Sequence, residues 1–78
     1  MNFDDYRYFV LCDGLFDAPF MTRTEAKNYL VFARRKNRGH IYTIVDADSA
    51  DDRELERLRG EYEDYQYYLM QLEEEWER

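Results

Sequence analysis

Carboxylates are the commonest chemically active groups in this chain, with 18 acidic against 11 basic residues and a formal net charge of −7. They occur in adjacent runs: Asp4-Asp5, Asp51-Asp52 and Glu73-Glu74-Glu75. General acid–base work needs two carboxyls facing each other across a pocket that drives their pKa values apart. Neighbouring acids on one helix point in different directions and stay in water, so these runs predict solvated faces. Asp46-Ala47-Asp48 lacks the glycine and the distal glutamate of an EF-hand loop. Cys12 and His40, one of each in the chain, could form a nucleophile pair, but a single cysteine in an apolar strand reads as a small packed side chain. One cysteine allows no internal disulfide, and a Cys/His metal centre would lack ligands. The three glycines stand apart, so no loop cradles a phosphate. No catalytic residue, metal site or cofactor is expected, and the chain does not read as an enzyme.

Residues 60–78, GEYEDYQYYLMQLEEEWER, combine seven acids, one base, four tyrosines and a tryptophan. Residues 1–50 hold seven acids and seven bases, so the entire excess negative charge falls on residues 51–78. That asymmetry argues for a basic partner and against direct binding of nucleic acid. The run Arg34-Arg35-Lys36-Asn37-Arg38, with Tyr42 nearby, is the best candidate for phosphate contact. It is better accounted for by the negative end of a helix, or by pairing with the acidic tract of the same chain, since a protein of net charge −7 repels phosphate.

Seventy-eight residues make one small domain, here divided into a core over 1–48 and a long acidic helix over 49–78. Chains of this size bury only a little over half of their unfolded surface, so a partner is a natural source of further burial. Tyr6–Cys12 is rich in aromatic and β-branched residues and predicts a strand covered on both faces. Asp13-Gly14 predicts a tight hairpin turn. Leu15–Ala18 is the return strand, kept short and at an edge by Pro19, which cannot donate to a ladder. Thr22-Arg23-Thr24-Glu25 fits a capping box at the start of a helix, whose apolar face holds Ala26, Tyr29, Leu30 and Ala33. Gly39 stands where a left-handed helix cap belongs. His40–Val45 is a further strand, and Asp51 or Ser49 caps the last helix. The fold class is α+β in a ββαβα arrangement. A right-handed crossover places the third strand beside the first, giving an antiparallel sheet in the order 2-1-3.

In the last helix, Leu55, Leu58, Tyr62, Tyr65, Leu69, Leu72 and Trp76 are spaced alternately by three and four residues, a heptad stripe for burial. The stripe does not account for Tyr67, Tyr68 and Met70. With the surrounding acids they predict a partner-binding face of Glu61, Glu63, Asp64, Tyr67, Tyr68, Met70, Glu73, Glu74, Glu75 and Glu77. Aromatics and Met are enriched at the centres of interfaces. The helix is also expected to outrun the sheet, which suggests a homodimer at high concentration.

The single tiny domain, the strand–helix–strand segment Tyr6–Val45 and the acidic tract Glu61–Glu77 together resemble small phage-encoded host-takeover proteins, above all anti-CRISPR proteins. The resemblance implies a non-enzymatic inhibitor acting in the cytoplasm of a bacterial host. Its partner would be a larger host complex with a basic groove built for nucleic acid, blocked by the acidic residues between Glu61 and Glu77. The alternative is a small structural protein that self-associates through the heptad stripe. The longest apolar stretches, such as Phe9–Cys12, are far below the roughly 20 residues needed to span a bilayer, so no membrane partner is expected.

Overall fold

The computed structural model describes the backbone of residues 2–76 and side chains through Glu73. Three strands and two helices follow in the order β1 (Tyr8–Cys12), β2 (Leu15–Phe20), α1 (Arg23–Lys36), β3 (Tyr42–Asp46) and α2 (Asp52–Trp76). The sheet is antiparallel throughout with order β2-β1-β3, as the topology rule requires. The class is therefore α+β.

Central β1 is buried on both faces, and its alternation divides the core in two. Phe9 and Leu11 point to one side, where they pack with Phe3, Leu58 and Tyr62 beneath α2. Val10 points to the other side and packs with Ala26, Ala33 and Tyr42 beneath α1. The two helices thus lie on opposite faces of a three-stranded sheet. The heptad stripe of α2 is consumed by the sheet from Leu55 to Tyr65, with Leu58 and Tyr62 buried and Leu55 and Tyr65 half-buried. Leu69 and Leu72 are half-buried; the side chain of Trp76 lies outside the described residues.

The hairpin forms as the Asp-Gly pair dictates, with Asp13 at φ 54° and Gly14 at φ 84° between paired Cys12 and Leu15. The return strand is longer than expected. It runs through Pro19 to Phe20, because an edge strand has an unpaired side on which a missing donor costs nothing. A bulge interrupts it: Val10 pairs with Ala18 but Leu11 with Phe16, leaving Asp17 as the extra residue. Phe16, Ala18 and Phe20 share one parity in sequence. The extra residue changes that parity, so Phe16 joins the α2 core while Phe20 joins the α1 core. Asp17 accepts a hydrogen bond from the Tyr29 hydroxyl of α1 at 2.7 Å.

Other boundaries move for local reasons. β1 begins at Tyr8, not Tyr6, because Phe3–Asp5 form a 3-10 turn that stacks Phe3 on Phe9 with ring centroids 4.8 Å apart. Thr22 caps α1 by accepting from the Glu25 N–H at 3.2 Å, while its hydroxyl donates to the Glu25 carboxylate at 3.0 Å. The carboxylate thus closes the box on the side chain of Thr22. Gly39 is not a left-handed cap. Asn37 ends α1, and among the described residues only Asp13 and Gly14 have positive φ. β3 spans Tyr42–Asp46, since His40 and Ile41 are held instead by Asp13. Asp51 caps α2 by accepting from the Glu54 N–H at 2.8 Å.

A 25-residue helix extends about 37 Å at 1.5 Å per residue, and the molecule is 41 Å along its longest axis. The strands have at most six residues, so α2 overhangs the sheet.

Leu58 is fully buried between α2 and the sheet, so Leu58→Ala should cost about 2–4 kcal/mol and the half-buried Leu69→Ala less. Thermal or urea melts of the two variants check the ranking. Burial, ahead of all other causes, raises the pKa values of Tyr29, Tyr42, Tyr62 and Tyr65. A raised folded-state pKa stabilises the fold fully below the unfolded value of about 10, and that contribution is lost as pH climbs toward the folded value. Stability should therefore fall above about pH 10, with a late-titrating set of tyrosines that ionises together with unfolding in a phenolate absorbance titration.

Candidate functional site

The candidate interface is the half of α2 from Glu61 onward, and the structure sorts its residues into three groups. Glu61 is half-buried and accepts a hydrogen bond from the Phe16 N–H at 3.0 Å. Phe16 lies on the edge strand just before the bulge, where the ladder leaves its donor unpaired. Glu61 is therefore an anchor between α2 and β2, and only its outer side borders solvent.

Asp64 and Tyr68 follow Glu61 at three and seven residues, on one side of the helix. With Leu15, Phe16, Glu61 and Tyr65 they line an open groove of about 350 Å³ between α2 and the hairpin. Its walls are largely aromatic: Phe16 and Tyr65 meet edge to face at 5.4 Å, and Tyr68 stands 59% exposed. The pKa of the Tyr65 hydroxyl is raised by burial first and by the charge of Asp17 second, so the hydroxyl stays neutral through the physiological range. Leu15, 64% exposed at the hairpin, belongs to this groove and was not among the expected site residues. Its one sequence signal is an apolar residue directly after the Asp-Gly turn, too common to mark a site.

Glu63, Tyr67 and Met70 form the third group, spaced by four and three along the outer side of α2. Tyr67 is 64% and Met70 60% exposed, and Glu63 is exposed beside a second, smaller cleft with Asn2, Phe3, Asp4, Arg59 and Tyr62. Arg59 closes that cleft by bonding Asp4 at 2.8 Å and lying 5.1 Å over the Phe3 ring. Tyr67, Tyr68 and Met70 thus do not form one cluster; Tyr68 flanks the groove, whereas Tyr67 and Met70 look outward. Glu73 is exposed, the side chains of Glu74 and Glu75 lie outside the described residues, and so does Glu77.

The basic end of α1 does not pair with this acidic helix, because the sheet lies between them. Among the described residues no ion pair joins the two helices. Arg34 instead donates to the Tyr42 carbonyl at 3.2 Å, and the Lys36 ammonium sits 5.7 Å from the Phe32 ring centroid. Among the described residues, no acid of α2 from Glu61 onward is held in an ion pair. Cys12, Asp13 and His40 come together at the opposite end of β1 from the 3-10 turn, with their ligand atoms within 4.8 Å of one another.

Comparison with known protein families, with curated proteins and with solved structures finds no match to this chain. No helix among the described residues is long and apolar enough to cross a membrane.

Glu61→Ala should free the Phe16 N–H and cost about 1 kcal/mol, the usual net value of a hydrogen bond. Amide exchange at Phe16 should accelerate in that variant, while amides in α1 keep wild-type protection. Glu61→Gln, which retains an acceptor, should keep most of the stability and of the Phe16 protection.

Proposed function

We propose that this chain is a non-enzymatic inhibitor of the phage-encoded, anti-CRISPR type. It acts in the bacterial cytoplasm by covering a basic, nucleic-acid-binding surface of a larger host complex. The observation that carries this reading is the overhanging half of α2, where exposed rings alternate with exposed carboxylates. Carboxylates three and four positions apart on a helix are about 5–6 Å from one another. Duplex DNA presents one phosphate charge per roughly 1.7 Å of axis, counting both strands. A groove of arginines and lysines built for phosphates attracts such a helix, and Tyr67, Tyr68 and Met70 add the apolar anchors that give partner specificity.

The groove beside the hairpin supports the same reading. Aromatic walls from Phe16, Tyr65 and Tyr68 with Asp64 at the rim suit an arginine side chain, which stacks on rings and pairs with a carboxylate. Glu63, Asp64 and Glu73 are exposed to solvent, which favours steering and docking over acid–base chemistry. The basic end of α1 belongs to the helix on the other face of the sheet and does not oppose approach of this surface to a cationic partner.

The triple reversal Glu63→Lys, Asp64→Lys and Glu73→Lys should abolish capture of nucleic-acid-handling complexes from bacterial lysate, with an unchanged circular dichroism spectrum. Tyr68→Ala, and separately Tyr67→Ala, should each weaken binding to the captured partner by about 1 kcal/mol or more, mainly by faster dissociation. Raising the salt concentration should slow association of the wild type more than that of the triple variant. Equal binding by wild type and triple variant would mean that α2 is only a solvated face.

A further inference from the structure

Three side chains with transition-metal chemistry meet where β1 enters its turn. Cys12 is the last residue of β1 and is half-buried. Asp13 occupies the left-handed position of the hairpin turn at φ 54°. His40 arrives from the loop before β3, carried in by the pairing of Cys12 with Tyr42. Asp13 Oδ2 and His40 Nδ1 are 2.6 Å apart, and donor atoms of all three residues lie within 4.8 Å of one another.

We propose that Cys12, Asp13 and His40 form a binding site for a thiophilic divalent cation, Zn²⁺ or a chemically similar ion. Thiolate, imidazole and carboxylate are the ligands that such ions take, and a soft sulfur with a neutral nitrogen disfavours Mg²⁺ and Ca²⁺. Three protein ligands leave a fourth tetrahedral position for water on the solvent side. Metal–ligand bonds of about 2.0–2.3 Å place tetrahedral donors roughly 3.4 Å apart. His40 and Asp13 must part by less than about 1 Å, and the Cys12 sulfur must close in. Both partners are about half exposed, at 52% and 48%, so the adjustment meets little packing resistance.

The surrounding contacts are those of a supported site. Asp13 Oδ1 accepts the Ile41 N–H at 2.8 Å, which fixes the carboxylate and leaves Oδ2 for the ion. The Tyr42 hydroxyl, beside Cys12, is held by the Asn37 side-chain amide at 3.1 Å. On binding, the Cys12 thiol releases its proton to solvent and His40 binds as neutral imidazole. Thiolate and carboxylate together balance the two positive charges of the ion. The bound ion ties the end of β1, the turn and the entry to β3 into one unit, a form of support common in domains this small.

Titration of the untagged chain with Co²⁺, under a non-chelating reductant, tests the site. A thiolate-to-cobalt charge-transfer band saturating at one equivalent and displaced by Zn²⁺ is expected. Cys12→Ser should abolish the band, and Asp13→Asn and His40→Gln should each weaken Co²⁺ binding at least tenfold. Asp13→Asn keeps both the preference for the left-handed turn and an acceptor for the Ile41 N–H, so it tests the ligand without unmaking the hairpin. Should His40→Gln fail to fold, the ring nitrogens of His40 in the wild type decide: a shift in their resonances on adding Zn²⁺ supports the site, and no shift overturns it. Absence of the band in the wild type overturns it too, as does binding that either folded variant leaves unchanged, the behaviour of a thiol acting alone.

Discussion

Burial of β1 on both faces is the constraint on which the rest of the molecule depends. A chain this short cannot build one thick core, so it builds two thin ones that share a strand. Phe9 and Leu11 serve one and Val10 serves the other. Each core then needs its own cover, and the two amphipathic helices supply it from opposite sides. Aromatic contacts fill the α2 side: Phe3, Phe9, Phe16 and Tyr62 touch in a chain of ring contacts between 4.8 and 6.1 Å. The α1 side is filled more thinly, by alanines that let the helix approach the sheet closely.

The two-sided arrangement also fixes the electrostatics. With the helices on the same face, the basic end of α1 and the acids of α2 would have neutralised each other. With a sheet between them they remain separate, so the molecule presents one strongly negative helix and, across the sheet, a basic helix end whose first arginine is bound to a backbone carbonyl. The edges of the sheet follow the same economy. On β2 the outward donors are removed by Pro19 or satisfied by Glu61, which discourages addition of a foreign strand there.

Proline placement, helix capping and turn chemistry were legible from local sequence because each depends on residues within a few positions of one another. The Asp-Gly turn and the Thr22 and Asp51 caps belong to that class, and the 2-1-3 order followed from the handedness of the crossover between strands. Local signals misled at two places. Gly39 had the right type for a helix cap, but Asn37 ended the helix first. His40 and Ile41 had strand composition, but β3 begins at Tyr42, and the carboxylate of Asp13, 27 and 28 residues away in sequence, holds the His40 ring and the Ile41 N–H. The acidic face of α2 was visible as composition; its division between groove side and outer side was not.

By itself the sequence determined which segments are helix and strand, how the strands are ordered, and that the excess negative charge falls on the last third of the chain. Those properties follow from periodicity, backbone preference and charge, which act along the chain. Only the tertiary structure decided the bulge at Asp17, the commitment of Glu61 to Phe16, and the meeting of Cys12, Asp13 and His40. Each of these depends on strand register and on which side chain finds an unpaired group across a gap of many residues. A one-residue change of register reverses the face to which every later side chain points, and no local pattern records it.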